Sequence, residues 1–316
     1  MSERLILKGL RVSDFQHPED KKSLDFLERI PLLNSSLEAI LKLTSEAMMK
    51  FVKAGSCIEI NENQYPSVYR VFIQCCKILE IEKIPKLYLD GQRGISSSVD
   101  GITEPIVLIS EGAVEVLNED ELYFIFGQAL GHIKAGHELY HKVADLLIEG
   151  WGEVVGAMAM PIQEALLRWY RFSTLSSDRV GLLCCQSIDS AVSVLAKQAG
   201  YIRNYDEALN VDALMIQAEK FKESKEKMLN KFWEGFEYFS KNAKSPLSIL
   251  RISELLEWSK LGEYGNTIYK NTSIEKMLGY DAITESIGFK KCIHCGYEKV
   301  RMDMYYCPNC KNTADR

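Results

Sequence analysis

The last 25 residues of the chain constrain its fold more than any other stretch. Cys292 and Cys295 form one CxxC, and Cys307 and Cys310 form a second, with 11 residues between them. Each CxxC lets two thiolates of one tight turn reach the same ion, and two such knuckles complete a closed tetrahedral zinc site. Gly296 supplies backbone freedom for the first knuckle and Pro308 preorganises the second. So short a module has almost no core, so metal binding would supply its folding energy. The spacing therefore predicts a zinc ribbon over 289–316, holding one structural zinc per chain, separate from a domain over 1–288.

Five more cysteines make up the total of nine: Cys57 and the adjacent pairs Cys75–Cys76 and Cys184–Cys185. All lie in apolar contexts and read as small core residues. The usage fits a reduced, cytoplasmic protein. MSERLILKGLRVSDF at the start carries scattered charges and does not read as a signal peptide. The longest helix-like stretch without a charge, Val154 to Gln163, is far short of the roughly 20 residues that span a bilayer. No membrane contact is expected.

A net charge of −6 argues against wholesale nucleic-acid binding. Within the ribbon, Lys290, Lys291, Lys299, Arg301, Lys311 and Arg316 outnumber Glu298, Asp303 and Asp315 by three. A four-thiolate zinc centre carries about two negative charges and nearly cancels that excess. Nucleic acid is therefore a weakly supported partner for the ribbon. A protein or peptide partner is favoured.

In the body, SVYRVFIQCCKILEIE at 67–82 has helical periodicity. KLYLDG at 86–91 and EPIVLIS at 104–110 read as strands, with loop or hairpin chemistry between. Asn118 followed by Glu121 forms a capping box and starts a helix. Further helices are predicted over 143–168, 170–199 and 206–241, and again after Pro246. Residues 1–65 carry helical patterning. The fold class is α+β, mostly α, with a small sheet. Trp151, Trp169, Trp233 and Trp258 read as packing residues, and the Lys-rich stretch 217–231 as a solvated helix face.

Four segments carry a resemblance: QYPSVYRVFIQCCKILEIEKIPKLYLD, EPIVLISEGAVEVLNEDELYFIFGQALGHIKAGH, STLSSDRVGLLC and SPLSILRISELLEW. In this order, over about residues 17–260, the chain resembles the HtpX-like, CAAX-prenyl-protease-type zinc metallopeptidases. The resemblance implies a gluzincin-like fold. In those enzymes an HExxH helix gives two zinc-binding histidines and a general-base Glu, and a later helix gives a third ligand. Here the matching positions hold Gln128, Ala129 and His132, with Thr174 for the third ligand. Asp178 matches a supporting Asp, and Arg251 an Arg that pairs near the site. Ser96 and Ser97 stand where relatives have an Asn-Ala pair beside the substrate. One imidazole cannot hold a catalytic zinc, and Ala129 has no group to move a proton. No catalytic zinc is expected. The reading is a pseudopeptidase: a peptide- or protein-binding scaffold.

A literal HExxH does occur nine residues further on, at His137, Glu138 and His141. If the helix continued, nine residues would rotate this pair by about 900°, half a turn away, and carry it about 13 Å along the axis. On that premise the pair faces away from Thr174 and Asp178. The alternative is an active zinc endopeptidase using His137, Glu138 and His141.

Overall fold

The structure, a computed structural model, describes residues 4–30, 46–146, 160–200, 210–227, 245–271, 289–290 and 300–301. A 3₁₀ turn at Val12–Asp14 leads to α1 (Pro18–Leu27). Next come α2 (Glu46–Ser56), β1 (Ile58–Ile60), α3 (Pro66–Ile78), β2 (Lys86–Asp90), β3 (Ser97–Asp100) and β4 (Ile106–Ser110). A helical run follows: α4 (Glu111–Val116), α5 (Glu119–Ala135), α6 (Glu138–Leu146), α7 (Met160–Cys185) and α8 (Ile188–Ala199). α9 (Val211–Lys227), α10 (Ser248–Lys260) and α11 (Glu263–Asn271) complete it. Phe289–Lys290 (β5) pairs antiparallel with Val300–Arg301 (β6). The four ribbon cysteines, Cys292, Cys295, Cys307 and Cys310, lie outside the described residues, as do Trp151, Trp233 and most of 154–163.

The architecture is mostly helical with one four-stranded mixed sheet, in the order β1-β2-β4-β3. β2 and β4 run parallel, and β1 and β3 flank them antiparallel. β4 (IVLIS) is buried along its whole length, as expected for a central strand. β1 corrects the helical reading of residues 1–65, and β3 fills what was read as loop or hairpin. No helix among the described residues is long and apolar enough to cross a membrane.

α5 is the central element. The Asn118 side chain accepts from Glu121 N at 3.0 Å and Glu121 Oε2 accepts from Asn118 N at 2.9 Å, the predicted capping box. Glu119, Asp120 and Glu121 put negative charge on the positive end of the helix dipole. α7 crosses α5 almost backbone to backbone. A Cβ added at Gly127 would sit 2.7 Å from Cys184 Cβ and 2.8 Å from Gly181 Cα. Phe72, Phe124, Phe126, Leu130, Val180, Leu183, Ile252 and Trp258 form the main core around that crossing. Cys75, Cys76, Cys184 and Cys185 are buried free thiols there, while Cys57 is half-buried beside the sheet. α7 runs unbroken through residues 169–170, where two helices were predicted. The break falls at Gln186, in the left-handed region at φ 54°, before the Ser187 cap of α8.

A smaller cluster, Leu27, Val143, Ala144, Leu166 and Trp169, joins α1, α6 and α7. It packs beside the C-terminal end of α5, where the polar residues gather.

Candidate metal centre

The positions that match the peptidase motif form a closed polar knot. Gln128 Nε2 donates to Asp178 Oδ1 at 2.6 Å. Arg251 grips the same carboxylate with both arms: Nε to Oδ2 at 2.8 Å and Nη2 to Oδ1 at 2.7 Å. The pair is buried, and Arg251 Nη1 also donates to Gln198 Oε1 at 2.9 Å. The expected structural ion pair of Arg251 is thus made to Asp178. Thr174 Oγ1 donates back to Tyr170 O of its own helix at 3.1 Å. Ala129 is 1% exposed and part of the main core. The residues at these positions do not fit a zinc ion: an amide, a methyl and an engaged hydroxyl replace two ligands and the base.

The shifted HExxH sits elsewhere than the continued helix would put it. α5 ends at Ala135, because Gly136 takes a left-handed conformation at φ 71°. Gly136 N–H donates to Ile133 O at 3.1 Å and His137 N–H to His132 O at 3.2 Å. This double closure is the Schellman motif, which glycine admits without a Cβ penalty. It turns the chain back on itself and starts α6 at Glu138. The half-turn separation is therefore wrong. His137 Nδ1 lies 3.0 Å from His132 Nδ1, and the ligand atoms of His132, His137 and His141 all fall within 4.8 Å of one another. One helical turn later on α6, His141 shares the face of His137.

α1 and α7 frame the three rings. His137 is 1% exposed and sits just before the first residue of α6. Its Nε2 points at Asp20 Oδ2 across 3.4 Å. Asp20 is fully buried and accepts from Trp169 Nε1 at 2.9 Å and from Ser176 Oγ at 2.5 Å. Burial acts to raise the Asp20 pKa, but its bonds to His137, Ser176 and Trp169 hold it below the usual carboxylate value. His141 Nε2 lies 2.8 Å from Ser173 Oγ, and its ring stacks on Tyr170 at 3.8 Å. Trp169 meets His137 edge-on.

Burial, then the neighbouring His137, pushes His132 down to about 3, so its imidazole is neutral at ordinary pH. Glu138 rises to about 7 through burial, opposed only by a hydrogen bond from its own backbone. Its Oε1 is buried and has no hydrogen-bond partner among the described residues.

Three imidazoles make a donor set suited to zinc, copper, nickel or iron. The sequence shows the three histidines but not their meeting; it marks Trp169 only as a packing residue and does not mark Asp20 or Ser173. Gly136 was the available signal: a glycine just after a helical run, with Lys134 in the last turn, marks a helix end.

No protein-family profile matches the chain, and no solved structure matches it. Among curated proteins, it is 30% identical over 274 residues to plastoglobule-localized metallopeptidase 48, chloroplastic, of Arabidopsis thaliana. That alignment covers 82% of this chain and 76% of the relative.

Proposed function

The chain belongs to the metallopeptidase family of its plastoglobule relative, and we propose that it serves as a protein- or peptide-binding scaffold in which the family's hydrolytic site is closed. An HtpX-like ancestry and a zinc-loaded ribbon at Cys292, Cys295, Cys307 and Cys310 are part of this reading. The Gln128–Asp178–Arg251 knot carries it. With both Asp178 oxygens engaged and Ala129 where a general base belongs, that position keeps one imidazole, His132, and no proton acceptor. β3 lies at the edge of the sheet, and Ser97 Oγ fastens it to α5 through Ile125 O at 2.9 Å. A peptide can add to such an edge through backbone hydrogen bonds alone. The buried free thiols support a reducing, cytoplasmic setting.

The test is incubation of the full chain with casein, with and without added zinc. No cleavage is expected. Chelator-sensitive turnover that copurifies with the protein would overturn the scaffold reading.

One observation favours a second reading, an endopeptidase using His137, Glu138 and His141: the gathering of three histidines next to a buried carboxylate. In that case Glu138→Gln removes turnover and leaves bound metal in place.

A further inference from the structure

We propose that His132, His137 and His141 form a binding site for one divalent transition-metal ion, zinc being the best match, separate from the ribbon and sharing only His132 with the closed peptidase position. The inference does not depend on whether the chain cleaves peptides.

The polar neighbours of the rings indicate which nitrogens carry lone pairs. Ser173 Oγ donates its one proton to Tyr170 O at 2.8 Å, so it can only accept from His141. His141 is therefore protonated on Nε2 and presents Nδ1 as its lone-pair nitrogen. The Asp20 carboxylate lies 3.4 Å from His137 Nε2, and its negative charge favours the proton on that nitrogen and the lone pair on Nδ1. That Nδ1 is the atom 3.0 Å from His132 Nδ1. For His137 the lone pair is thus on the nitrogen that faces His132, and a hydroxyl holds the other nitrogen of His141. A metal-binding histidine commonly has such a partner on its other nitrogen.

The spacing fits as well. Two nitrogens on a tetrahedral zinc, each at 2.0–2.1 Å, stand about 3.3 Å apart. The cluster's separations run from 3.0 Å to at most 4.8 Å. His132 and His141 are only partly buried, which leaves an ion a way in and lets their rings adjust. Three protein ligands leave a fourth position for water or another donor.

Packing alone explains the arrangement less well. Ring packing accounts for His141, stacked on Tyr170 and tilted against Trp169, and for the edge-on contact of His137 with Trp169, but not for the approach of His137 Nδ1 to His132 Nδ1. His137 Nε2 is buried at 3.4 Å from Asp20, too far for a good hydrogen bond. A small inward shift of the ring on metal binding would change that contact.

The test strips the full-length protein of metal and titrates it with cobalt(II). The ribbon's thiolates give sulfur-to-cobalt charge-transfer absorption in the near ultraviolet. A three-imidazole site gives visible bands without it. Wild type should bind two equivalents, one of each spectral class. His137→Ala and, separately, His141→Gln should each lose the thiolate-free equivalent and keep the other, with circular dichroism confirming the fold. Since His141 is partly exposed, its variant guards against misfolding at the more buried His137. Loss of no equivalent in either folded variant, or only thiolate-bound cobalt in wild type, would overturn the proposal.

Discussion

Two polar clusters meet on α5, where Gln128 and His132 lie one turn apart, and they have opposite characters. At Gln128, Asp178 and Arg251 a buried carboxylate accepts three side-chain hydrogen bonds, and the group is sealed. At His132, His137 and His141, ring nitrogens converge on one another, with their outer atoms turned to Asp20 and Ser173. The lesson concerns where a metal can go. Loss of ligands at one position does not empty the neighbourhood of donors. A single glycine that ends α5 one residue before His137 is enough to assemble a second set.

Breaking the closed cluster should have the largest effect. Arg251→Met leaves the Asp178 carboxylate buried with only Gln128 as partner. Removing one member of a buried pair costs about 3–5 kcal/mol. Urea denaturation should show a loss of that size, while cobalt stoichiometry at the histidines stays unchanged. The companion Asp178→Leu/Arg251→Met variant should recover most of the stability, since apolar replacement of a whole pair is often neutral. Equal losses in the single and double variants would mean the ion pair is not what holds α10 against α7.

A smaller effect is expected from Gly136→Ala. A Cβ there meets no atom within 4 Å, so the cost is conformational only. Holding a non-glycine residue in the left-handed region costs about 1–2 kcal/mol. Denaturation should report that loss, and titration should show weaker cobalt binding at the histidines with the ribbon equivalent unaffected. Unchanged affinity would show that the turn does not position the cluster.

The legible parts of the fold were those with a local physical signal. Asn118 and Glu121 announced the start of α5, and the apolar runs of β2 and β4 announced the sheet. Trp169 and Trp258 were readable as packing residues, and both are buried. β1, of three residues, is too short to show a period of two. β3 reads SSVD and is a strand because β4 pairs with it, not through its own propensity. The site divides in the same way. Gln128, Ala129, Thr174 and Asp178 could be found by resemblance, and His137 and His141 by motif. Their relation to His132 depended on whether α5 continued past Gly136. Asp20 was out of reach, because it meets Trp169 across 149 residues of chain and nothing local marks it as a partner of histidine.

The central claim is that a metal in the body of this chain sits between His132, His137 and His141 and not between His132, Gln128 and Thr174. Anomalous diffraction at the zinc edge, from crystals of the full-length protein grown with zinc, tests this most directly. The expected map has one peak among His132, His137 and His141 and none within reach of Gln128 or Thr174. A peak at Gln128 and Asp178, or no peak outside the ribbon cysteines, would contradict the account.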